Sequence, residues 1–281
     1  MPELPEVEQV RRSLEPWVVG KTIRRVEVRL ARIIRTPPNP VLFANRLAGR
    51  TVTGIARRGK YLLFSVPPDT LVSHLRMEGQ YRLEPAGAPL APHTHVVFQF
   101  TDGSELRYRD VRQFGTMDLV GPDDPLPPGL AALGMEPFDP RLTAEVLRAC
   151  FARRRAPVKA VLLDQTVVAG IGNIYADEAL FLARIHPQSP ACRLSQAEAA
   201  RLLAALRDVL TRAIAAGGSS IRTYADGYGR HGGFQVSLAA YGRAGAPCPR
   251  CGTPIAKVRV AGRGTHFCPV CQPSPGEGGT A

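Results

Sequence analysis

Cys248-Pro-Arg-Cys251 and Cys268-Pro-Val-Cys271 stand sixteen residues apart near the end of the sequence. A C-x2-C pair presents two thiolates from one tight turn, and two such pairs complete a tetrahedral zinc site. The intervening stretch is long enough for a β-hairpin running out and back, with Thr265, His266 and Phe267 on its returning arm. Two disulfides are the competing reading. No secretory segment opens the sequence, however, and C-x2-C pairs in a reducing compartment are usually metal or redox sites. A site closed by Cys248, Cys251, Cys268 and Cys271 leaves no open coordination position, so the one zinc expected here builds structure rather than performing catalysis. The hairpin it anchors carries Lys257, Arg259 and Arg263 toward solvent, a basic ribbon suited to a nucleic-acid backbone.

The rest of the composition points the same way. A chain of 281 residues holds about two domains with real cores. Its formal charge is +12, and four bound thiolates with one zinc ion would leave about +10. A surplus of that size favours polyanions through counterion release and says nothing about sequence preference. The positive charge is almost all arginine, the only lysines being Lys21, Lys60, Lys159 and Lys257. Each lysine is therefore a candidate for a position that needs a deprotonatable amine. No apolar run approaches membrane-spanning length, and Cys150 and Cys192 fall in helix-like segments as expected small core residues. These features describe a soluble, cytoplasmic, nucleic-acid-binding protein.

Along the chain, residues 5–18 place Val7, Val10, Leu14 and Trp17 at helical spacing, with Gly20 as the terminating glycine. Short strands follow: Ile23, Val26, Val28 and Leu30, then residues 61–66, 96–100 and 106–108. Gly, Pro and Asp punctuate them as in an antiparallel sandwich or barrel. Residues 122–142 read as a Pro- and Gly-rich linker. Helical patterns occupy 143–151, 158–164, 173–183 and 195–216, the last opened by a Ser195/Glu198 capping box. The expected layout is α+β: an N-terminal β-sandwich domain (1–121) flanked by helices, a helical domain (143–235), a zinc hairpin (236–272) and a disordered tail (273–281).

Chemistry concentrates at the other end of the chain. The sequence opens Met1-Pro2-Glu3-Leu4-Pro5-Glu6-Val7-Glu8. A small second residue permits removal of the initiator methionine, which would leave Pro2 as an N-terminal secondary amine. An α-amino group titrates near neutrality, so part of it is nucleophilic without burial, and an attack on an aldehyde or hemiacetal carbon would give an iminium ion. Glu3 is placed to donate or shuttle a proton. The same residues also make an ordinary acidic helix start. Arg57-Arg58-Gly59-Lys60-Tyr61 is either a solvated basic hairpin or a means of bringing Lys60 to a phosphate. Met77, in His74-Leu75-Arg76-Met77-Glu78-Gly79, is a core thioether or a wedge between bases. Asp110-Val111-Arg112-Gln113-Phe114-Gly115 sets a guanidinium and a ring two residues apart. Asn173, in the Gly-rich turn after Ala169, is an N-cap or a phosphate donor at a helix N-terminus.

Taken together and in this order, these motifs resemble those of the formamidopyrimidine-DNA glycosylases, bacterial base-excision repair enzymes of the helix–two-turn–helix class. The resemblance runs from Met1 to Gln272. It implies that Pro2 forms a Schiff base at C1′ of the damaged nucleotide and that Glu3 is the general acid opening the sugar. Lys60 would act in β-elimination and Arg263 in δ-elimination. Met77, Arg112 and Phe114 would fill the gap left by a flipped base and pair with the estranged cytosine. His93, Arg112 and Arg155 match DNA-contacting positions, and Lys159 and Asn173 match residues near the flipped nucleotide's phosphates. Ser219, Ser220, Arg222, Thr223 and Tyr224 match a loop that closes over the lesion. The substrate implied is duplex DNA carrying 8-oxoguanine or formamidopyrimidines, cleaved by a monomer with no cofactor in the chemical step. An endonuclease VIII-like enzyme for oxidised pyrimidines, or a silent damaged-DNA-binding protein, are the alternatives. Arg153-Arg154-Arg155 departs from the family's more lysine-rich run, preserving charge while changing hydrogen-bond geometry.

Overall fold

The structure is a computed structural model that describes residues 1–219 and 226–274. The chain divides into two compact units, Met1–Ala131 with Ala216–Gly233, and Ala132–Ala215 with Phe234–Ala281.

The first unit opens with α1 (Leu4–Val18), whose Val7, Val10 and Leu14 are buried as their spacing predicts. Trp17 departs from that expectation. It is 47% exposed and meets Tyr228 edge to face at 6.1 Å. Then come β1 (Ile23–Val28), β2 (Ile34–Thr36), α2 (Pro40–Leu47), β3 (Gly54–Arg58), β4 (Tyr61–Val66), β5 (Asp69–His74), β6 (Gln80–Pro85), β7 (Thr94–Phe100), β8 (Ser104–Arg109), β9 (Thr116–Val120) and the short α3 (Pro128–Ala131). They form a four-stranded sheet, β1-β7-β8-β6, and a five-stranded sheet, β2-β9-β5-β4-β3. All pairings are antiparallel except β2 with β9. Val96, Phe98, Tyr81, Tyr108 and Leu106 of one sheet share a core with Ile55, Leu62, Phe64, Leu71 and Met117 of the other and with the apolar stripe of α1. This is the sandwich expected from alternating strands.

The second unit contains α4 (Ala144–Ala152), α5 (Val158–Leu163), α6 (Asn173–Ala183), α7 (Gln196–Ala215) and the hairpin β10 (Ala256–Val260) and β11 (Arg263–Phe267). Helix α7 buries Leu202, Leu206, Val209 and Ala213 on one stripe. Its capping box is present: Ser195 N–H donates to Glu198 Oε2 at 2.9 Å, and Glu198 N–H donates to Ser195 Oγ at 3.2 Å. Helix α6 is buried almost all round, as a central helix must be. Its two acids are therefore both partnered. Asp177 ion-pairs with Lys159, and Glu178 accepts from the N–H groups of Ala239, Ala240 and Tyr241 at 2.8–2.9 Å. Desolvation raises the Glu178 pKa against the pull of those three donors.

Three expectations change. Residues 216–233, assigned by sequence to the helical domain, belong to the first unit. Ser219 N–H donates to Glu6 and Gly227 N–H to Ser13, both on α1, contacts that no local periodicity encodes. The linker also packs instead of hanging free. Arg207 gathers the carbonyls of Pro137, Asp139 and Leu142, and Met135 bridges to Val168. Finally, Cys150 and Cys192 are exposed. The buried stripe of α4 is Leu147 and Phe151, which turns Cys150 outward.

Candidate catalytic residues and nucleic-acid interface

In the first unit, Glu3 is the extended N-cap of α1 and is 3% exposed, and Pro2 before it is buried. Glu6 orders this start. One of its oxygens accepts from Glu3 N–H at 2.8 Å, and the other accepts from Ser219 N–H at 2.8 Å. The carboxylate thus joins the first helical turn to the residue that precedes the 220–225 segment. Lys60 sits in the β3–β4 turn, 5% exposed, after Gly59 with φ +55°. The hairpin is tied to α1 through Glu8, which accepts from Arg57 Nε at 3.2 Å and also pairs with Arg11 and Arg12. Burial works against the Glu8 charge, yet the hydrogen bonds from Arg11 and Arg12 and the nearby guanidinium charges hold its pKa below the usual value. Glu8 and Arg57 thus tie the helix that follows Pro2 and Glu3 to the hairpin bearing Lys60.

Two loops of the same unit carry the other expected contacts. Met77 is half-buried in residues 75–79, directly after Arg76, whose φ is +52°. His74 leads into this loop, accepts from Arg76 N–H at 2.9 Å and stacks edge-on against Tyr61. Burial first, then the charges of Arg76 and Lys60, push the His74 pKa down to about 3, so its ring is neutral at physiological pH. In residues 110–115, Arg112 and Phe114 are both exposed, and the guanidinium lies 5.0 Å from the ring centroid. Between them Gln113 has φ +58°, and its side chain takes a short hydrogen bond from Arg32. Asp110, fully buried, organises the loop. Its carboxylate accepts from Arg112 N–H at 3.1 Å and Gly115 N–H at 2.8 Å. Its backbone carbonyl meets His95 Nε2 at 2.8 Å, and its N–H donates to His93 O at 3.1 Å. His93 is exposed, with φ +64°. Non-glycine residues at positive φ are uncommon and cluster at functional sites. Arg76, His93 and Gln113 are three of the five among the described residues.

In the second unit the four cysteines converge, their sulfurs all within 4.8 Å of one another. Neighbouring sulfurs stand 3.5–3.9 Å apart, against about 3.8 Å for the edge of a tetrahedron with zinc–sulfur bonds of about 2.3 Å. N–H groups of Arg250 and Cys271 point at Cys248 Sγ and Cys268 Sγ at 3.4 Å. The donor set fits one structural zinc. The ribbon docks on the helices through Arg250, which donates to Phe181 O at 2.8 Å, and Gln272, which donates to Ile185 O at 2.8 Å. Lys257, Arg259 and Arg263 are exposed along it, and a two-residue turn, Ala261-Gly262, with both φ positive, closes the hairpin.

Arg155 is exposed. Lys159 is not. Its side chain is 0% exposed, ion-paired with Asp177 at 2.6 Å and donating to Thr265 Oγ1 at 2.7 Å and Gly264 O at 3.2 Å. Where the resemblance implied a phosphate neighbour, the structure has a buried brace between α5, α6 and β11. Asn173 is the first residue of α6, behind Gly172 as N-cap, and its Nδ2 donates to Gly264 O at 3.0 Å. Of the lesion-loop candidates, Ser219 is buried, while Ser220, Arg222, Thr223 and Tyr224 lie outside the described residues. Sequence reasoning missed Glu6, Asp110, Asp177 and Glu178. Each is an acid in a stretch otherwise too apolar or too tightly turned to hold an unpaired charge, and that was the available signal.

A buried proline–glutamate start on a β-sandwich, and a helical unit carrying a four-thiolate ribbon, define a DNA glycosylase of the helix–two-turn–helix class. The chain belongs to the formamidopyrimidine-DNA glycosylase family. Its residues 1–117 match the family's N-terminal domain, 133–225 its H2TH domain, and 245–273 a zinc finger found in FPG and IleRS. It is 56% identical over 274 residues to the formamidopyrimidine-DNA glycosylase of Geobacillus kaustophilus, covering 97% of this chain and 100% of that one. The enzyme of Symbiobacterium thermophilum is 54% identical over 276 residues, covering 98% and 90%. Among solved structures, Lactococcus lactis Fpg in complex with abasic-site DNA superposes with a TM-score of 0.90 at 44% identity, covering 97% of this chain and all of that one. A Lactococcus lactis FPG complex with DNA containing Fapy-dG gives 0.87 at 43% identity, with the same coverage.

Proposed function

We propose that the chain excises oxidised purines, 8-oxoguanine and formamidopyrimidines, from duplex DNA and then cleaves the strand at the resulting abasic site. The observation that carries this reading is the buried Pro2-Glu3 start, held by Glu6 to the root of the 220–225 segment and by Glu8 and Arg57 to the Lys60 hairpin. With Met1 removed, the Pro2 nitrogen attacks C1′ and the lesion base departs with the glycosidic bonding pair. Glu3 protonates O4′ as the sugar ring opens, leaving an iminium ion. The iminium acidifies C2′; loss of that proton expels the 3′-phosphate, with Lys60 at the departing group. Arg263 binds the phosphate expelled in the second elimination. Met77, Arg112 and Phe114 occupy the stack vacated by the flipped base and offset part of its few-kcal/mol cost. His93, Arg155 and Asn173 hold the backbone, and Ser219 with the neighbouring Ser220, Arg222, Thr223 and Tyr224 encloses the lesion. The enzyme works as a monomer in the cytoplasm, on the nucleoid.

Borohydride trapping on a duplex with 8-oxoguanine opposite cytosine tests this reading. The expected product is a covalent adduct at Pro2 in protein lacking Met1, and Pro2→Gly should lose the adduct while keeping duplex affinity. Tight binding without an adduct, despite a processed N-terminus, would leave a damage-recognition protein instead. Preferential trapping on thymine glycol would move the substrate to oxidised pyrimidines.

A further inference from the structure

The loops that carry Met77 and the Arg112–Phe114 pair are each closed by a backbone N–H of a glycine. Residues 75–79 close through Gly79 N–H donating to Leu75 O at 2.9 Å, and residues 110–115 close through Gly115 N–H donating to Asp110 Oδ2 at 2.8 Å. Each loop also contains one non-glycine residue at positive φ, Arg76 in the first and Gln113 in the second. Such conformations are strained and persist only where the surroundings over-determine them. The phenol oxygen of Tyr108 crowds both closing glycines, with Leu75 O adding a second close neighbour at Gly79, 2.7 Å from where its Cβ would stand. A Cβ on Gly79 would stand 2.3 Å from the phenol oxygen, and a Cβ on Gly115 would stand 1.7 Å from it. Neither glycine has a positive φ, so both are glycine for close approach and not for backbone freedom, Gly115 to the phenol and Gly79 to the phenol and to Leu75 O.

Tyr108 is itself fixed. It is fully buried on β8, and its ring meets Tyr81 edge-on at 5.2 Å. The Tyr81 hydroxyl donates to Ser73 Oγ on β5 at 2.8 Å, and the Tyr108 hydroxyl reaches Asp110 Oδ2 at 3.4 Å. Burial, reinforced by the Asp110 charge, raises the Tyr108 pKa far out of the physiological range, so the phenol always has its proton to donate. The tyrosine pair thus spans the sandwich core and ends at the two glycines.

We propose that Tyr108 is a positioning residue that sets the two gap-filling loops at a fixed spacing, so that Met77 on one and Arg112 and Phe114 on the other enter the DNA as one rigid wedge. This rests on the reading above that these three residues fill the vacated stack. Displacement of either loop is transmitted through the phenol to the other, because each glycine touches the same atom. Opposite-base discrimination, which depends on where Arg112 stands, therefore depends on Gly79 as well, although Gly79 belongs to the other loop.

The test uses the full-length zinc-loaded enzyme, Tyr108→Phe and Gly79→Ala, with three readouts: thermal stability, borohydride trapping on single-stranded abasic DNA, and excision of 8-oxoguanine opposite cytosine against adenine. A good base contact discriminates by about 1–3 kcal/mol, so a misplaced Arg112 should reduce the cytosine preference by about tenfold. The expected result is that loss in both variants, with single-strand trapping within about twofold of wild type. Unchanged cytosine preference in Tyr108→Phe overturns the proposal. So does a Gly79→Ala variant that keeps the preference, or parallel losses in stability, trapping and excision, which would make Tyr108 a core residue only. Failure of the wild-type enzyme to trap or to discriminate would instead remove the functional reading beneath it.

Discussion

Lys159→Met probes how the zinc ribbon is held to the helices. The Lys159 and Asp177 side chains are both 0% exposed, and their charges meet at 2.6 Å. Methionine keeps the length and most of the volume of lysine but leaves Asp177 buried without its counter-ion. Asp177 retains His266, whose backbone N–H stands 2.9 Å and whose ring Nδ1 stands 3.3 Å from Oδ2. Thr265 Oγ1 loses the Lys159 donor, and Gly264 O keeps that of Asn173 Nδ2. Removing one member of a buried pair costs about 3–5 kcal/mol, mostly from the charge left behind. At about 2–4 °C per kcal/mol for a chain of this size, the melting temperature should fall by about 10 °C. The double variant Lys159→Met/Asp177→Asn removes both charges, while the amide oxygen still accepts from His266. Replacing both members of such a pair is often close to neutral, so this variant should recover more than half of the loss. The assay is thermal unfolding by far-ultraviolet circular dichroism, with released zinc followed in the same ramp. Zinc should leave at a lower temperature in the single variant. A single variant melting within about 2 °C of wild type, or a double variant no better than the single, would refute the assignment of this pair as the brace.

Two further outcomes follow from the same reasoning. Zinc chelation should unfold the ribbon and weaken duplex binding while leaving the sandwich intact; Trp17, the only tryptophan and part of α1, should keep its emission, and a shift in that emission on chelation would contradict the prediction. The His74 pKa is about 3 in the folded protein against 6.5 in the unfolded chain, so between those values the unfolded state binds more protons and stability falls as pH drops through that window. The full loss is on the order of 5 kcal/mol, none of it felt above about pH 7, and His74→Asn should flatten the acid limb of a stability-versus-pH curve; an unchanged limb would place the acid sensitivity elsewhere.

The sequence was legible where function or structure is encoded by neighbours along the chain. The cysteine spacing gave the ribbon and its metal, Ser195 and Glu198 gave the start of α7, and Val7, Val10 and Leu14 gave the buried face of α1. The turn holding Lys60 and the glycine-closed loops around Met77 and Arg112 were visible for the same reason. Features set by partners distant in sequence were not. The parallel pairing of β2 with β9 joins segments some eighty residues apart, a count that no periodicity carries. The resemblance made Lys159 a phosphate neighbour, and only its burial against Asp177 turns the ammonium into a brace. Residues 216–233 follow a helix in sequence, yet they join the sandwich unit through Glu6 and Ser13. Gly79 and Gly115 look like turn glycines, and only the folded core shows that one phenol oxygen occupies the space of both missing side chains. Short-range chemistry can be written in the order of residues. Burial, pairing of charges and the sharing of one atom by two loops exist only once the chain has closed on itself.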